Sequence, residues 1–332
     1  MTKTAHSFRA MNTDVQLVID SKSEDAARIA ARRVEAMFGE TERVLSRFLS
    51  ESELSALNRS AGRPFRASPL LFQAVTEALA AARETDGLFD PTVLNALLAA
   101  GYDRSFELLN DGAGEPARHE VDLEVREDGR LGGSLALSGA PSPRSTASWR
   151  DVVVDRGSSA ITLPLNTGLD LGGIGKGWTV DRAANILRHF GSFVVDAGGD
   201  IYAAGTQADG APWTVGVEDP ADHSRDIAVL AVRDQAVVTS TTSRRRWVLH
   251  GQEQHHLIDP RTGRSADSGV ISVTVIASSV VRAETLAKAA LLLGPREGTR
   301  FLEEHGVQGI LVLDGGQVKL TSSLQKELQH AS

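Results

Sequence analysis

The amino-acid sequence predicts an α+β fold. Helical periodicity dominates between Ser23 and Ala82, and short strand-like runs dominate after Phe193. The two do not alternate in the regular strand-helix-strand order of a doubly wound parallel sheet.

The elements follow in chain order. Met11 to Ile19 alternates Val15, Leu17 and Ile19 with Asp14 and Gln16, the period of a half-buried strand. Ser23 to Phe48 then places Ala26, Ala30, Val34, Met37, Val44, Leu45 and Phe48 at helical spacing, which predicts a long amphipathic helix broken near Gly39. Ser50 to Asn58 reads as a short helix. Ser68 followed by Pro69 is a cap and a first-turn proline, and the helix it opens runs to Asp86-Gly87. Residues 110–148 are rich in Gly, Pro, Ser and charge and read as a long loop, an insertion or a lobe junction within one domain spanning 1–332.

Beyond it, Val152 to Val154 and Ala160 to Leu165 read as strands, and Trp178 to Phe190 as a helix stopped by Gly191. Strands are predicted at Phe193 to Val195, Trp213 to Val217, Ile227 to Val232, Ala236 to Thr239, Arg246 to Leu249, His255 to Ile258 and Val270 to Ala277. Two helices, Arg282 to Leu293 and Arg296 to His305, precede a hairpin turning at Asp314-Gly315-Gly316.

Composition narrows the chemistry. The 332 residues include no cysteine, which excludes disulfide scaffolds, thiolate metal sites and a cysteine nucleophile. A net charge of −8 argues against nonspecific nucleic-acid binding, which needs a basic face, but leaves room for a small anionic ligand at a local site. No apolar run reaches the length of a membrane span, so a soluble, cytoplasmic chain without membrane insertion is expected.

Several segments carry chemical potential. Asp170 to Gly177 places Gly172, Gly173, Gly175 and Lys176 at the opening of a helix, where free N–H groups and an ammonium can grip phosphate; a tight strand-to-helix turn is the plainer reading. Asp196-Ala197-Gly198-Gly199-Asp200 ends the next strand. His255 and His256 point to opposite faces of a strand, which favours one acid/base histidine over a metal site. Gly87-Leu88-Phe89-Asp90 is a turn with an aromatic ring available for stacking. Arg244-Arg245-Arg246 either contacts an anion or forms a solvated strand edge.

Taken in order, these segments resemble the FAD:protein FMN transferase (ApbE-like) family. The resemblance runs from Phe8 to about Gly294 and is carried by Met11-Asn12-Thr13, Ser46-Arg47-Phe48 with Ser52 to Asn58, Gly87 to Val93, Asp170 to Asp181, Ala197 to Ile201, and Thr239-Ser240 with His256 to Gly263. It implies a two-lobed architecture with FAD in a cleft between lobes. The implied reaction transfers FMN to a threonine hydroxyl of a partner protein, releases AMP and uses magnesium. Some members instead hydrolyse FAD to FMN and AMP. By the same resemblance, Lys176 and the glycine loop would hold the pyrophosphate and His256 would act as base. Met11, Asn58, Phe89, Asp90, Gly172, Gly173 and Asp181 would surround the flavin nucleotide, and Asp259 would position the His256 loop.

The chain also departs from the family pattern. Where the family reads A-D-A-x-x-T, with Asp and Thr holding magnesium beside a glycine-loop carbonyl that corresponds to Gly175, this chain has Ala283-Glu284-Thr285-Leu286-Ala287-Lys288. A charged lysine has no lone pair to offer a metal. Either Glu284 and Lys288 form an ordinary i,i+4 pair on a helix surface, worth about 0.3–0.5 kcal/mol, or the ammonium stands where the ion would. The second reading opens a non-catalytic, flavin-binding alternative. Asn12 also replaces the usual glycine of M-G-T.

Overall fold

The computed structural model describes residues 2–110 and 147–330. The predicted insertion at 110–148 therefore lies outside the described residues except at its two ends.

The chain begins with a hairpin of β1 (Thr2–Ala10) and β2 (Thr13–Ser21). A helical stretch follows: α1 (Glu24–Leu45), α2 (Glu53–Arg59), a short β3 (Phe65–Arg66), α3 (Pro69–Glu84), α4 (Leu94–Ala99) and α5 (Phe106–Asn110). After β4 (Val153–Asp155) and β5 (Ala160–Thr162) comes α6 (Gly175–Leu187), then β6 (Ser192–Ala197), β7 (Asp200–Ala204), the hairpin of β8 (Trp213–Glu218) and β9 (Asp226–Val232), and β10 (Gln235–Thr241). Two small hairpins pair β11 (Arg246–Leu249) with β12 (Gln252–His255) and β13 (Ile258–Asp259) with β14 (Arg264–Ser265). The chain continues through β15 (Val270–Ala277), α7 (Val280–Glu304), β16 (Gln308–Leu313), β17 (Val318–Leu320) and α8 (Ser322–His330).

The central sheet has eight strands in the order β1-β2-β6-β7-β10-β15-β16-β17, with every neighbouring pair antiparallel. One face carries α1, α6 and α7 over a core of Val15, Leu17, Phe38, Val180, Phe193 and Leu286. The other is covered by the β8–β9 hairpin, where Trp213, Val215 and Leu230 meet Val237 and Ile276. A second core gathers α2, α3, the β3-β5-β4 sheet and the glycine loop around Leu54, Leu71, Ile161 and Ile174. This mixed, antiparallel architecture is α+β, as the sequence predicts. Among the described residues, no helix is long and apolar enough to cross a membrane.

The helix starts are written in capping side chains: Ser23, Ser52, Ser68 and Ser279 each accept a hydrogen bond from an N–H in the first turn of α1, α2, α3 and α7. Three features differ from the sequence reading. The first helix runs unbroken through Gly39, because its buried stripe of Val34, Met37, Phe38 and Thr41 keeps it docked. The two helices predicted at Arg282 to Leu293 and Arg296 to His305 are both present within α7, separated by Gly294, whose non-helical φ of 82° and following Pro295 interrupt the ladder. Strand β1 is absent from the sequence reading, since Thr2 to Ala10 offers few apolar residues and lies at the sheet edge. The run His255 to Ile258 is no single strand, for β12 ends at His255 and β13 begins at Ile258.

The β1–β2 turn accounts for Asn12. Met11 and Asn12 have φ of 52° and 58°, the doubly left-handed geometry of a two-residue type I′ hairpin turn, which asparagine tolerates better than most residues. Asn12→Gly is expected to leave thermal stability nearly unchanged, whereas Asn12→Val destabilises by about 1–2 kcal/mol, measured by chemical denaturation.

Candidate functional site

A cavity of about 930 Å³ opens where the hairpin turn at Met11, the Leu88–Asp90 turn, the glycine loop and the sheet strands meet. Met11, Phe89, Asp90, Gly172, Gly173, Lys176, His256, Glu284 and Lys288 line it. This volume suits a ligand larger than a single nucleotide base.

The glycine loop is held from behind. Asn58 donates to the Leu169 carbonyl at 2.9 Å and accepts from the Leu169 N–H at 2.8 Å. Asp170 accepts from the Gly172 N–H at 2.8 Å and forms a buried ion pair with Arg47. The helix that follows starts at Gly175 rather than Trp178, so Lys176 sits in its first turn. Gly173 packs tightly: a Cβ there would lie 3.2 Å from the Phe89 ring, which would have to give slightly, and in ordinary contact with Lys288 Cε at 3.5 Å. Gly177 is required by close approach where α6 meets α7, since a Cβ there would sit 2.5 Å from Glu284 Oε2.

Both lysines of the site are paired with carboxylates. Lys176 pairs with the buried Asp200 and lies 3.5 Å from the Ala197 carbonyl. Lys288 Nζ donates to Glu284 Oε1 at 2.8 Å and to the Gly173 carbonyl at 2.9 Å. The Glu284 side chain is 4% exposed, so this is a buried pair and the helix-surface reading is overturned. Burial raises the Glu284 pKa and the Lys288 charge opposes that rise. Asp90 accepts from the N–H and the hydroxyl of Thr92, and burial raises its pKa.

His256 occupies the break between β12 and β13, half-buried, with Nδ1 enclosed and without a hydrogen-bond partner among the described residues. Burial first, then the charges of Arg245, Lys288 and Lys176, hold its pKa well below 6.5. Its neighbour His255 is buried, and its Nε2 lies 2.9 Å from the Ala266 carbonyl oxygen.

Two residues expected around the flavin, Asn58 and Asp181, do not line the cavity, and neither does Asp259, expected to position the His256 loop. Asn58 is spent on Leu169. Asp181 accepts from the N–H groups of Val280 and Val281 at 2.8 and 3.0 Å, capping α7 from outside; burial pushes its pKa up to about 6 despite those donors. Asp259 grips the Arg261 guanidinium, which in turn donates to the Leu292 carbonyl at 2.9 Å and ties the loop after His256 to α7. All three hold backbone that frames the cavity.

The same geometry tests the expected magnesium ion. The Gly175 carbonyl accepts the Thr179 hydroxyl at 2.7 Å inside α6, and Gly175 does not line the cavity. The carbonyl beside Glu284 is that of Gly173, and the Lys288 ammonium holds both. Glu284 Oε2 has no hydrogen-bond partner among the described residues, but it lies against Gly177. Among the described residues, no group of three His, Asp or Glu is placed to hold an ion. A divalent cation does not fit this donor set.

An antiparallel sheet with a glycine loop, a helix N-terminus and a histidine around one large cavity defines a protein that binds a sizeable, partly anionic ligand. Comparison narrows the class. The ApbE family pattern matches residues 11–311. A FAD:protein FMN transferase from Treponema pallidum is 30% identical over 89% of this chain and 80% of its own length. One from Vibrio cholerae is 27% identical over 87% and 81%. The crystal structure of the ApbE protein from Thermotoga maritima superposes with a TM-score of 0.82 at 27% identity, covering 98% of both chains. The chain belongs to the ApbE family.

Two outcomes follow. Lys288→Met leaves Glu284 buried without its counter-charge and is expected to destabilise by about 3–5 kcal/mol, most of it recovered when Glu284→Gln is added; denaturant titration of both variants reads this. His256 is neutral in the folded protein, and the unfolded chain takes up its proton near pH 6.5. Its contribution to stability is therefore fully present above pH 6.5 and is lost as pH falls toward the lower folded pKa. His256→Gln flattens that limb in pH-dependent melting.

Proposed function

We infer that this chain is a FAD:protein FMN transferase, moving FMN from FAD to a threonine hydroxyl of a partner protein and releasing AMP. The convergence of the glycine loop, Lys176 and His256 on one cavity carries the reading, and the names of the similar proteins support it.

The reaction requires attack of the acceptor oxygen on the phosphorus of the FMN half. The new P–O bond forms as the bond to the AMP phosphate breaks, and the hydroxyl proton must leave. His256, neutral at pH 7, would take that proton. The Gly173 N–H and the Lys176 ammonium would orient the pyrophosphate and offset charge on the phosphoryl oxygens. Phe89, 5% exposed in the cavity wall, supplies an apolar surface for the flavin ring. Because the residues around Glu284 do not fit magnesium, the transfer is proposed to proceed without it.

Incubated with FAD and an acceptor protein in chelator, the pure protein is expected to yield AMP and a fluorescent covalent flavin band on a denaturing gel. AMP without a band, with or without acceptor, points to FAD hydrolysis. Yellow protein releasing no AMP points to flavin binding alone, the reading that the Lys288–Glu284 pair favours. His256→Gln is expected to slow transfer by about 10²- to 10⁴-fold, the usual contribution of a positioned base.

A further inference from the structure

The three consecutive arginines have different fates. Arg244 donates to both Glu218 carboxylate oxygens at 2.7 Å, and Arg246 donates to Glu253 at 2.6 Å. Arg245 lines the cavity, half-buried, and has no hydrogen bond or ion pair among the described residues. Of the cations that line the cavity, Lys176, Lys288 and Arg244 already face Asp200, Glu284 and Glu218.

The fold holds Arg245 in place. Arg246 pairs with His255 at the open end of the β11–β12 hairpin, so Arg245 and His256 are the residues immediately beyond the last rung and leave the ladder side by side. Trp247 pins this hairpin by donating to the Ala100 carbonyl at 2.7 Å and packing on Tyr102 with ring centroids 5.2 Å apart. Arg245 itself has a φ of 52°, a left-handed conformation that a non-glycine residue adopts only at a cost in free energy.

Charge balance indicates what this cation faces. A carboxylate with a divalent ion carries net positive charge, whereas Glu284 with Lys288 carries none. A doubly charged pyrophosphate is then left short of positive charge at the glycine loop, and burying it uncompensated is costly. We propose that Arg245 is a substrate-binding residue that pairs with the pyrophosphate of FAD beside His256, supplying from the chain the charge that its Glu284–Lys288 pair does not. This rests on the transferase reading and specifies its anion site.

Equilibrium titration of the purified protein with FAD and with riboflavin, which lacks phosphate, tests it. Arg245→Gln is expected to weaken FAD binding by about 10- to 100-fold, the factor that accompanies one charge-assisted hydrogen bond, with riboflavin affinity within about twofold of wild type. Arg245→Lys recovers part of the loss, since it keeps the charge but not the fork of donors. A matching melting temperature confirms that the variants are folded. Equal loss for both ligands overturns the proposal, as does unchanged FAD affinity with a raised KM for the acceptor protein. FAD binding that depends on Arg245 without any flavin transfer keeps the anion site and removes the transferase reading instead.

Discussion

The arrangement turns on the Lys288 ammonium, held between Glu284 and the Gly173 carbonyl. An isolated carboxylate at the depth of Glu284 would have to give up its charge, and a lysine beside it allows it to remain ionised. Because Lys288 also bonds the glycine loop, the pair joins α7 to the segment that opens α6. Gly177 allows the two helices to approach closely enough for this contact. Asp181 makes a second joint between the same helices, from the α6 side to the first N–H groups of α7.

The same rule governs the rest of the cavity wall. Asp200 neutralises Lys176 and Arg47 neutralises Asp170, each within a buried or nearly buried pair. Such pairs contribute less to stability than their attraction suggests, because both charges have lost water. Their effect here is positional: they hold the loop, the helix start and the strand ends in one register. In doing so they leave little uncommitted positive charge in the cavity. Two groups there without a hydrogen-bond partner among the described residues, the Arg245 guanidinium and the enclosed nitrogen of His256, stand next to each other at the end of one hairpin.

Much of this was legible locally. Helical spacing marks α1 and the Ser68-Pro69 start marks α3, and the glycine loop, the His256 loop and the Glu284–Lys288 spacing can all be read by eye. Other features left no local mark. Asn58 bonds Leu169, 111 residues away, and Asp181 bonds Val280, 99 residues away, so neither can be recognised as a backbone clamp from its own neighbourhood. Arg245 is indistinguishable from Arg244 and Arg246 until Glu218 and Glu253 are seen to take its neighbours. The end of β12 at His255 also escapes a period-two reading, because the chain bends there to start the next hairpin.

The sequence by itself determined the α+β class, the family and the segments that meet at the cavity, since each is encoded in short-range spacing, capping and residue type. Tertiary structure alone decided which charges are spent and which are free. That difference has a physical cause: a charge is committed by whatever lies within a few ångströms in space, and burial sets how much the commitment matters. An i,i+4 pair read as equally consistent with a solvated helix surface became a buried cation site when the glycine loop closed over it.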